Sequence, residues 1–541
     1  MGLISGIGRR LSLCLSVLML LVLWQPALAQ QPPNIIFVLT DDQRYDELGF
    51  MNPVLATPHM DDLAARGVHF RNAFVTTALC SPSRASILTG QMMHNHGVID
   101  NNRPLPEGLE LFPQRLQAAG YETAFFGKWH MGGEISQPRP EFDYWVSFPG
   151  QGTYYPTNAF GQTSMLTVND KTVPQRGYIT DELTDYALQF LRNRDQTRPF
   201  FVYLSHKAVH ATFEPAERHA SQYSDASIAL GSAPPVTADV PMWVRNQRNS
   251  WHGDEFPYHS DLPLADFKRE YHRTLSAVDD SLGRLLAWLD ETGQRDNTVV
   301  ILMGDNGFLF GEHGLIDKRN AYEESMRVPL LVLAPGRYAA GQVVDEMVAN
   351  IDIAPTLLAL AGVAAPAQYD GASFAHLPQH NDKTKPKYPG ESGTWRDALT
   401  YEYYWEYNYP QTPTTFALRT DRYKYIQYHG VWDTEELFDL QVDPREQRNL
   451  IEDASLLEVK VRMRQLLYAA LADRGGEHTI PFGLKVNQGA VFRHADRSKA
   501  AEYPDKWLRR GQAADRWEHI LPDGPDKAAR LQVINEILKD R

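Results

Sequence analysis

The stretch Asn34-Ile35-Ile36-Phe37-Val38-Leu39-Thr40-Asp41-Asp42 decides the fold. From Ile35 to Leu39 it is apolar without a break. A strand with one wet face alternates polar and apolar residues, whereas a continuous run fits a strand buried on both faces, as in a parallel sheet covered by helices. Pro199 to Ser205 (PFFVYLS), Thr298 to Met303 (TVVILM) and Val328 to Ala334 (VPLLVLA) repeat the pattern, and Tyr121 to Phe126 is a further candidate strand. Helical spacing or helix stops mark Pro58 to Arg66 before Gly67, Leu111 to Ala119 before Gly120, Asp181 to Arg194, Leu264 to Thr292 before Gly293, and Asp352 to Ala361 before Gly362. Strand and helix in alternation predict a doubly wound α/β domain. In such sheets ligands bind beyond the carboxyl ends of the strands, where Asp41 and Asp42 stand.

The character changes near residue 365. Thr415 to Tyr428 alternates like antiparallel strands and Leu456 to Ala472 reads as one amphipathic helix. We therefore expect a catalytic domain over 30–365, a smaller C-terminal α+β domain over 366–475 and an extension over 476–541. Ser221 to Tyr258 reads as a long surface insertion. Residues 1–29 read as an export signal: Arg9 and Arg10 precede the apolar run Leu11 to Leu23, and Ala27-Leu28-Ala29 has the small-residue cleavage pattern. The run is too short to span a bilayer, so no stable membrane anchor is expected, and the protein is expected in the periplasm or secreted.

The chain has 541 residues, and 53 basic against 67 acidic side chains leave a formal charge of −14. No net positive field gathers phosphates, which argues against a nucleic-acid partner. Two cysteines exclude a disulfide scaffold and a Cys-rich metal module. Cys14 lies within the signal, so Cys80 is the single cysteine of the mature chain and no intrachain disulfide can form.

Thr298 to Met303 is followed by Gly304-Asp305-Asn306. With Asp41 and Asp42 this makes four hard oxygen donors after two strands, a set suited to Ca²⁺ or Mg²⁺ rather than zinc. Each pair alone is also what the turns after strands favour. Ser83 to Leu88 looks helical, which puts Cys80 at a helix N-terminus, where free N–H groups and the dipole favour negative charge. Arg84 lies one turn on, on the same face. A buried apolar cysteine is the plain alternative.

The residues around Cys80 say more. Cys80-Ser81-Pro82-Ser83-Arg84 with Leu88-Thr89-Gly90 resembles the signature of the type I, formylglycine-dependent sulfatases of the alkaline-phosphatase-like superfamily. Asn34 to Asp42 is similar to that family's first strand and metal pair, Gly127-Lys128-Trp129-His130 to its Gly-Lys-Trp-His motif, and Asp305-Asn306-Gly307 to its second metal pair. Ser205 to His210 (SHKAVH) resembles its downstream histidine segment, with Val209 where a proline is usual. Gly311-Glu312-His313-Gly314, Asp317-Lys318-Arg319 and Tyr322-Glu323-Glu324-Ser325 resemble its lysine motif, and Leu437 to Leu450 its C-terminal signature.

The resemblance implies a large mixed, mostly parallel sheet sandwiched by helices, and that a formylglycine-generating maturation enzyme oxidises Cys80 to Cα-formylglycine. The hydrated aldehyde then serves as nucleophile, and its second hydroxyl, once deprotonated, expels sulfate, which a plain serine could not do. It implies one Ca²⁺, with Mg²⁺ as the alternative, held by Asp41, Asp42, Asp305, Asn306 and the modified Cys80. Arg84 would stabilise the diol, Lys128 and Lys318 would pair with sulfate oxygens, His130 would deprotonate the second hydroxyl, and His210 would protonate the leaving alcohol. Read without the motifs, Lys128 and His130 would share a face of a continuing strand.

The substrate implied is a sulfated carbohydrate, and the wording near Cys80 and Lys318 is most similar to the N-acetylglucosamine-6-sulfatase-like group. His94, His96, Asn102, Arg103 and His313 are candidate sugar contacts by their nearness to the motifs, with Trp145 or Trp405 as candidate ring-stacking residues. Three other readings stand beside this one: a phosphate or phosphonate monoester hydrolase of the same superfamily, a non-catalytic sulfoglycan-binding protein should Cys80 stay unmodified, and a thiol hydrolase using Cys80 with a histidine.

Overall fold

The computed structural model of the protein describes residues 32–132, 136–158, 160–232, 240–248, 250, 252–254, 262–379, 395–429, 434–476, 528 and 532. The export-signal segment and nearly all of the expected C-terminal extension lie outside the described residues.

Among the described residues ten strands form one sheet, in the order Gln342–Val344, Val68–Phe70, Leu330–Leu333, Thr298–Gly304, Asn34–Thr40, Phe200–Ser205, Glu122–Gly127, Tyr144–Ser147, Met165–Val168 and Lys171–Pro174. The run from Thr298–Gly304 to Tyr144–Ser147 is parallel throughout. Asn34–Thr40 lies at its centre, with Thr40 opposite Gly304 and Leu39 opposite Ser205. Ile35, Phe37 and Leu39 enter one apolar core while Ile36 and Val38 enter another, so the unbroken run in the sequence reflects burial on both faces. At roughly 1.5–3 kcal/mol per fully buried large apolar side chain, each of these five residues stabilises one of the two cores.

The helices close those cores. Leu264–Glu291 buries Phe267, Tyr271, Leu275, Val278, Leu282, Leu285 and Leu289 at helical spacing. Pro58–Arg66 forms over the predicted span. Leu330–Leu333, read from the sequence as one more strand of the sheet, runs antiparallel to Thr298–Gly304; apolar run length reports burial, not strand direction.

The chain after residue 395 forms a four-stranded antiparallel sheet, Ala398–Tyr403, Thr414–Thr420, Tyr423–His429 and Glu435–Asp439. Phe416 and Leu418 pack with Met463, Leu467 and Leu471 of the helix Leu457–Ala472, while Ala417, between them in sequence, joins the large core. The period-two pattern thus glues this smaller sheet to the main domain on one face and to its own helix on the other. Ser221 to Tyr258 is not wholly the surface insertion expected: its helix Met242–Gln247 buries Trp243 against Tyr428, with ring centroids 5.2 Å apart. The partner lies in the distant C-terminal sheet, so local composition could not announce the contact.

Candidate active site

The ends of four central strands converge. Asp41 and Asp42 follow Asn34–Thr40, Asp305 and Asn306 follow Thr298–Gly304, Lys128 follows Glu122–Gly127, and Ser205 ends Phe200–Ser205. The parallel register fixes their spacing. Asp305 N donates to Thr40 O at 2.9 Å, Asp42 N to Asp305 Oδ1 at 3.1 Å, and Asn306 Nδ2 to Asp42 Oδ1 at 2.6 Å. Asp42 and His130 hold positive φ angles of 57° and 58°, a conformation uncommon outside glycine and often found at functional sites.

Cys80 opens the helix Cys80–Thr89, every residue of which is buried. The helix starts at Cys80 itself, three residues earlier than the sequence suggested. Arg84, one turn on, donates Nε to Asp305 Oδ2 at 2.9 Å, Nη2 to Asp41 Oδ2 at 3.2 Å, and Nη1 to Ser205 Oγ at 2.6 Å and Lys128 O at 2.7 Å. It ties the helix to four strand ends at once. Lys128 Nζ donates to Asp41 Oδ2. Lys318 Nζ donates to Asp42 Oδ1 at 2.5 Å and to Cys80 Sγ at 2.9 Å, and Cys80 Sγ in turn donates to Asp41 Oδ1 at 3.3 Å. His130 Nδ1 lies 3.3 Å from Ser81 Oγ, and His210 Nε2 lies 4.0 Å from Asp42 Oδ2. The strand ends at Gly127, one residue past the expected span, so Lys128 and His130 lie beyond it. A Cβ on Gly127 would stand 1.8 Å from Ser205 O, at a φ of +115°, so this close approach requires glycine.

Burial dominates the electrostatics. It would raise the Asp41 carboxyl, but Lys128, His210, Arg84 and Lys318 together hold it well below the usual carboxylate range. Burial, with Asp41 and Asp305 close by, lifts Asp42 to about 7 despite Lys318, and pushes the Cys80 thiol up to about 12. Burial and the Lys128 charge hold both His130 and His210 well below the ordinary imidazole value. Oxygens of Asp41, Asp42 and Asp305 lie within 4.8 Å of one another, and Asn306 Oδ1 is buried with no hydrogen-bond partner. An orphaned amide oxygen beside three carboxylates is a hard donor set, and the residues fit a divalent cation of the Ca²⁺ or Mg²⁺ class.

A cavity of about 360 Å³ opens over this floor, lined by His210 and Lys318 together with Asn101, Gln151, Thr212, Arg319 and Tyr409. That volume suits a ligand the size of one or two sugar rings. Arg319 donates Nε to Glu406 Oε1 and Nη1 to Asp317 Oδ1, each at 2.8 Å, and its guanidinium carbon lies 3.4 Å from the Tyr409 ring centroid. Sequence reasoning named His210 and Lys318 but missed Asn101, Gln151, Thr212, Arg319 and Tyr409. Arg319 stood next to Lys318 in the quoted motif, but an arginine in a charged loop carries no sign of where it points.

None of His94, His96, Asn102, Arg103 and His313 lines this cavity. His94 is committed to Glu402 Oε2 at 2.9 Å and Arg474 O at 3.0 Å. His96, 1% exposed, is bound to Ser86 Oγ and Val98 N. His313 is buried flat against Tyr322, with ring centroids 3.6 Å apart. Asn102 and Arg103 are exposed on a turn whose backbone N–H groups bond Asp100; their neighbour Asn101 lines the cavity instead, with its Oδ1 accepting from Ser81 N at 3.0 Å. Trp145 stacks on Phe125 in the core at 4.6 Å and donates to Ser136 O, and Trp405 is half-buried and donates Nε1 to Pro410 O. Nearness in sequence to a motif does not fix the side on which a residue emerges.

A mixed sheet that gathers hard oxygen donors, two lysines and an arginine around one cysteine at its strand ends defines an enzyme of the alkaline-phosphatase-like superfamily. Comparison with known proteins narrows this. The family model described as Sulfatase matches residues 33–363, a second, described as N-sulphoglucosamine sulphohydrolase, C-terminal, matches residues 311–473, and the chain belongs to the sulfatase family. It is 32% identical over 497 residues to the N-acetylglucosamine-6-O-sulfatase of Bacteroides thetaiotaomicron, covering 80% of this chain and 85% of that protein. It is 31% identical over 448 residues to the human N-acetylglucosamine-6-sulfatase, covering 76% of each. A solved structure in complex with its substrate D-glucosamine-2-N,6-O-disulfate matches with a TM-score of 0.73 at 30% identity, over 83% of this chain and 99% of that one. Among the described residues no helix is long and apolar enough to cross a membrane.

Proposed function

We propose that this sulfatase is an exported enzyme that removes sulfate from a sulfated carbohydrate, with a 6-O-sulfated glucosamine residue as the favoured class. The observation that carries the reading is the floor of the cavity, where Lys318 Nζ stands 2.9 Å from Cys80 Sγ with Lys128 and Arg84 on the same carboxylates. Three cations around one reactive side chain suit a tetrahedral anion. The N-acetylglucosamine-6-sulfatase relatives and the glucosamine disulfate bound in the solved neighbour support the sugar.

Converted to Cα-formylglycine and hydrated, Cys80 would supply one hydroxyl as nucleophile and a second whose deprotonation expels sulfate and restores the aldehyde, and a cation held by Asp41, Asp42, Asp305 and Asn306 would supply Lewis acidity. The chain's own residues do the rest. Lys128 and Lys318 bind sulfate oxygens and offset the charge that gathers on them in the transition state. Arg84 holds Asp41 and Asp305 in register with the helix. His210 donates Nδ1–H to Ala211 O at 2.6 Å, which leaves Nε2, on the cavity side, to exchange a proton with the leaving alcohol. His130 has its Nδ1 against Ser81 Oγ, so Nε2 is the atom free to take a proton at Cys80. Export by residues 1–29 and maturation by a formylglycine-generating enzyme belong to the same reading.

The test is sulfate release from N-acetylglucosamine-6-sulfate, galactose-6-sulfate, an aryl sulfate and an aryl phosphate, alongside peptide mass spectrometry across Cys80 and N-terminal sequencing of the exported protein. We expect fastest turnover on the 6-sulfated glucosamine, an aldehyde mass at Cys80 and a new N-terminus at Gln30. Faster phosphate than sulfate turnover would sink the assignment, and an intact thiol in active protein would remove the mechanism.

A further inference from the structure

Outside the site described above, His313, Glu324 and Glu446 each offer one ligand atom, and the three atoms lie within 4.8 Å of one another. They come from three separate segments: the turn Glu312–Gly314, the helix Glu323–Met326 and the loop after Glu435–Asp439. All are buried, with exposures of 3%, 4% and 1%. His313 Nε2 and Glu324 Oε2 have no hydrogen-bond partner. A buried polar atom left unmet costs about 1–3 kcal/mol, and here two of them share one small space.

The surrounding charges do not balance. Lys424 Nζ lies 2.9 Å from Glu323 Oε1 and 2.6 Å from Glu446 Oε1, and Arg419 Nε lies 2.9 Å from Glu323 Oε1. Glu436 accepts from Tyr322 and Tyr428 hydroxyls, which bring no charge, and neighbouring Glu312 is offset by Arg44 at 2.6 Å. Among direct ion pairs, the four carboxylates of Glu323, Glu324, Glu436 and Glu446 face the two cations of Lys424 and Arg419, an excess of 4 − 2 = 2 negative charges that the more distant Arg327 and Arg44 offset in part. Either two protons or one divalent cation can neutralise them. Burial lifts Glu324 and Glu436 to about 8 and drives His313 down to about 3. Protons on the acids alone would leave the His313 Nε2 lone pair unmet in this arrangement. A cation meets that lone pair and the charge together.

We propose that His313, Glu324 and Glu446 bind a second divalent cation, of the borderline class that one imidazole and two carboxylates favour, such as Zn²⁺ or Mn²⁺. The ion would tie the turn five residues before Lys318 to the segment that follows the C-terminal sheet. Its role is structural, and it does not depend on the substrate proposed above.

The test is metal stoichiometry by mass spectrometry on full-length protein loaded with Mn²⁺, which both the all-oxygen site and the His313 cluster can accept, and passed through gel filtration. Wild type should retain two equivalents, Asp305→Ala one, and Asp305→Ala with Glu324→Gln none. His313→Gln alone should retain one. A wild type with one equivalent, an Asp305→Ala variant with none, or a His313→Gln variant that binds as much as wild type would each overturn the proposal and leave the acids neutralised by protons. Because Asp305→Ala leaves the second cluster intact, the answer does not hang on whether His313→Gln folds.

Discussion

Lys318 Nζ lies 2.9 Å from Cys80 Sγ while also donating to Asp42 Oδ1 at 2.5 Å. One ammonium therefore touches both the reactive side chain and the acid set. Lys318→Ala should lower kcat/KM for sulfate release by about 10²–10³, the usual loss when a positioned charge donor is removed. Steady-state kinetics on a soluble sulfated sugar check this, with circular dichroism to confirm folding. A loss confined to KM would mean that Lys318 binds substrate and transition state equally, without favouring the transition state.

Arg84 is held by two buried carboxylates, Asp41 and Asp305. Removing one side of a buried charge cluster typically costs about 3–5 kcal/mol. Arg84→Ala should lose an amount of that order in urea unfolding, before any assay is run. Stability within about 1 kcal/mol of wild type would show that water enters the site and solvates the acids.

Gly127 leaves no room for a side chain beside Ser205 O. Gly127→Ala must push apart Glu122–Gly127 and Phe200–Ser205 at the point where Lys128 leaves the sheet. We expect a destabilisation of about 2 kcal/mol or more, given the clash and the positive φ together. A variant with unchanged melting temperature would contradict the close approach.

The pair His94 and Glu402 sets a pH dependence. Burial opposes the His94 charge, but the Glu402 carboxylate and its hydrogen bond outweigh it and raise the imidazole to about 9. The folded value exceeds the unfolded one of about 6.5, so the contribution is fully present below pH ~6.5 and is lost as pH climbs towards 9. The melting-temperature gap between wild type and His94→Gln should be wide at pH 6 and narrow by pH 9.5. A gap that widens with pH would reverse the assignment.

Much of the fold and the centre of the site was legible in the sequence because both rest on short-range pattern. The Ile35 to Leu39 run reports double burial, and Pro58 with Gly67 brackets a helix that forms as read. Strand ends place Asp41, Asp42, Asp305 and Asn306 once the sheet is parallel. What failed was direction. His94 and His96 sit on the short helix Met93–His96, yet both rings point into the protein, because Glu402 and Ser86 await them there. Arg319 and Tyr409 meet across 90 positions, and neither announces the other. A family motif marks which residues matter near the chemistry; the walls of the cavity come from loops whose meeting is a tertiary event.

The opposite destinations of alternate side chains along Asn34–Thr40 have a further consequence. Sliding this strand by one position would turn Ile36 and Val38 onto the wrong face and shift Asp41 and Asp42 by roughly 3.3 Å. The apolar alternation that assembles the two cores is thus the same ruler that measures out the acid pair. A molecule with its chemistry out of alignment is also one with its interior wrongly filled, so errors in activity surface as errors in stability and the chain inspects its own active site simply by folding.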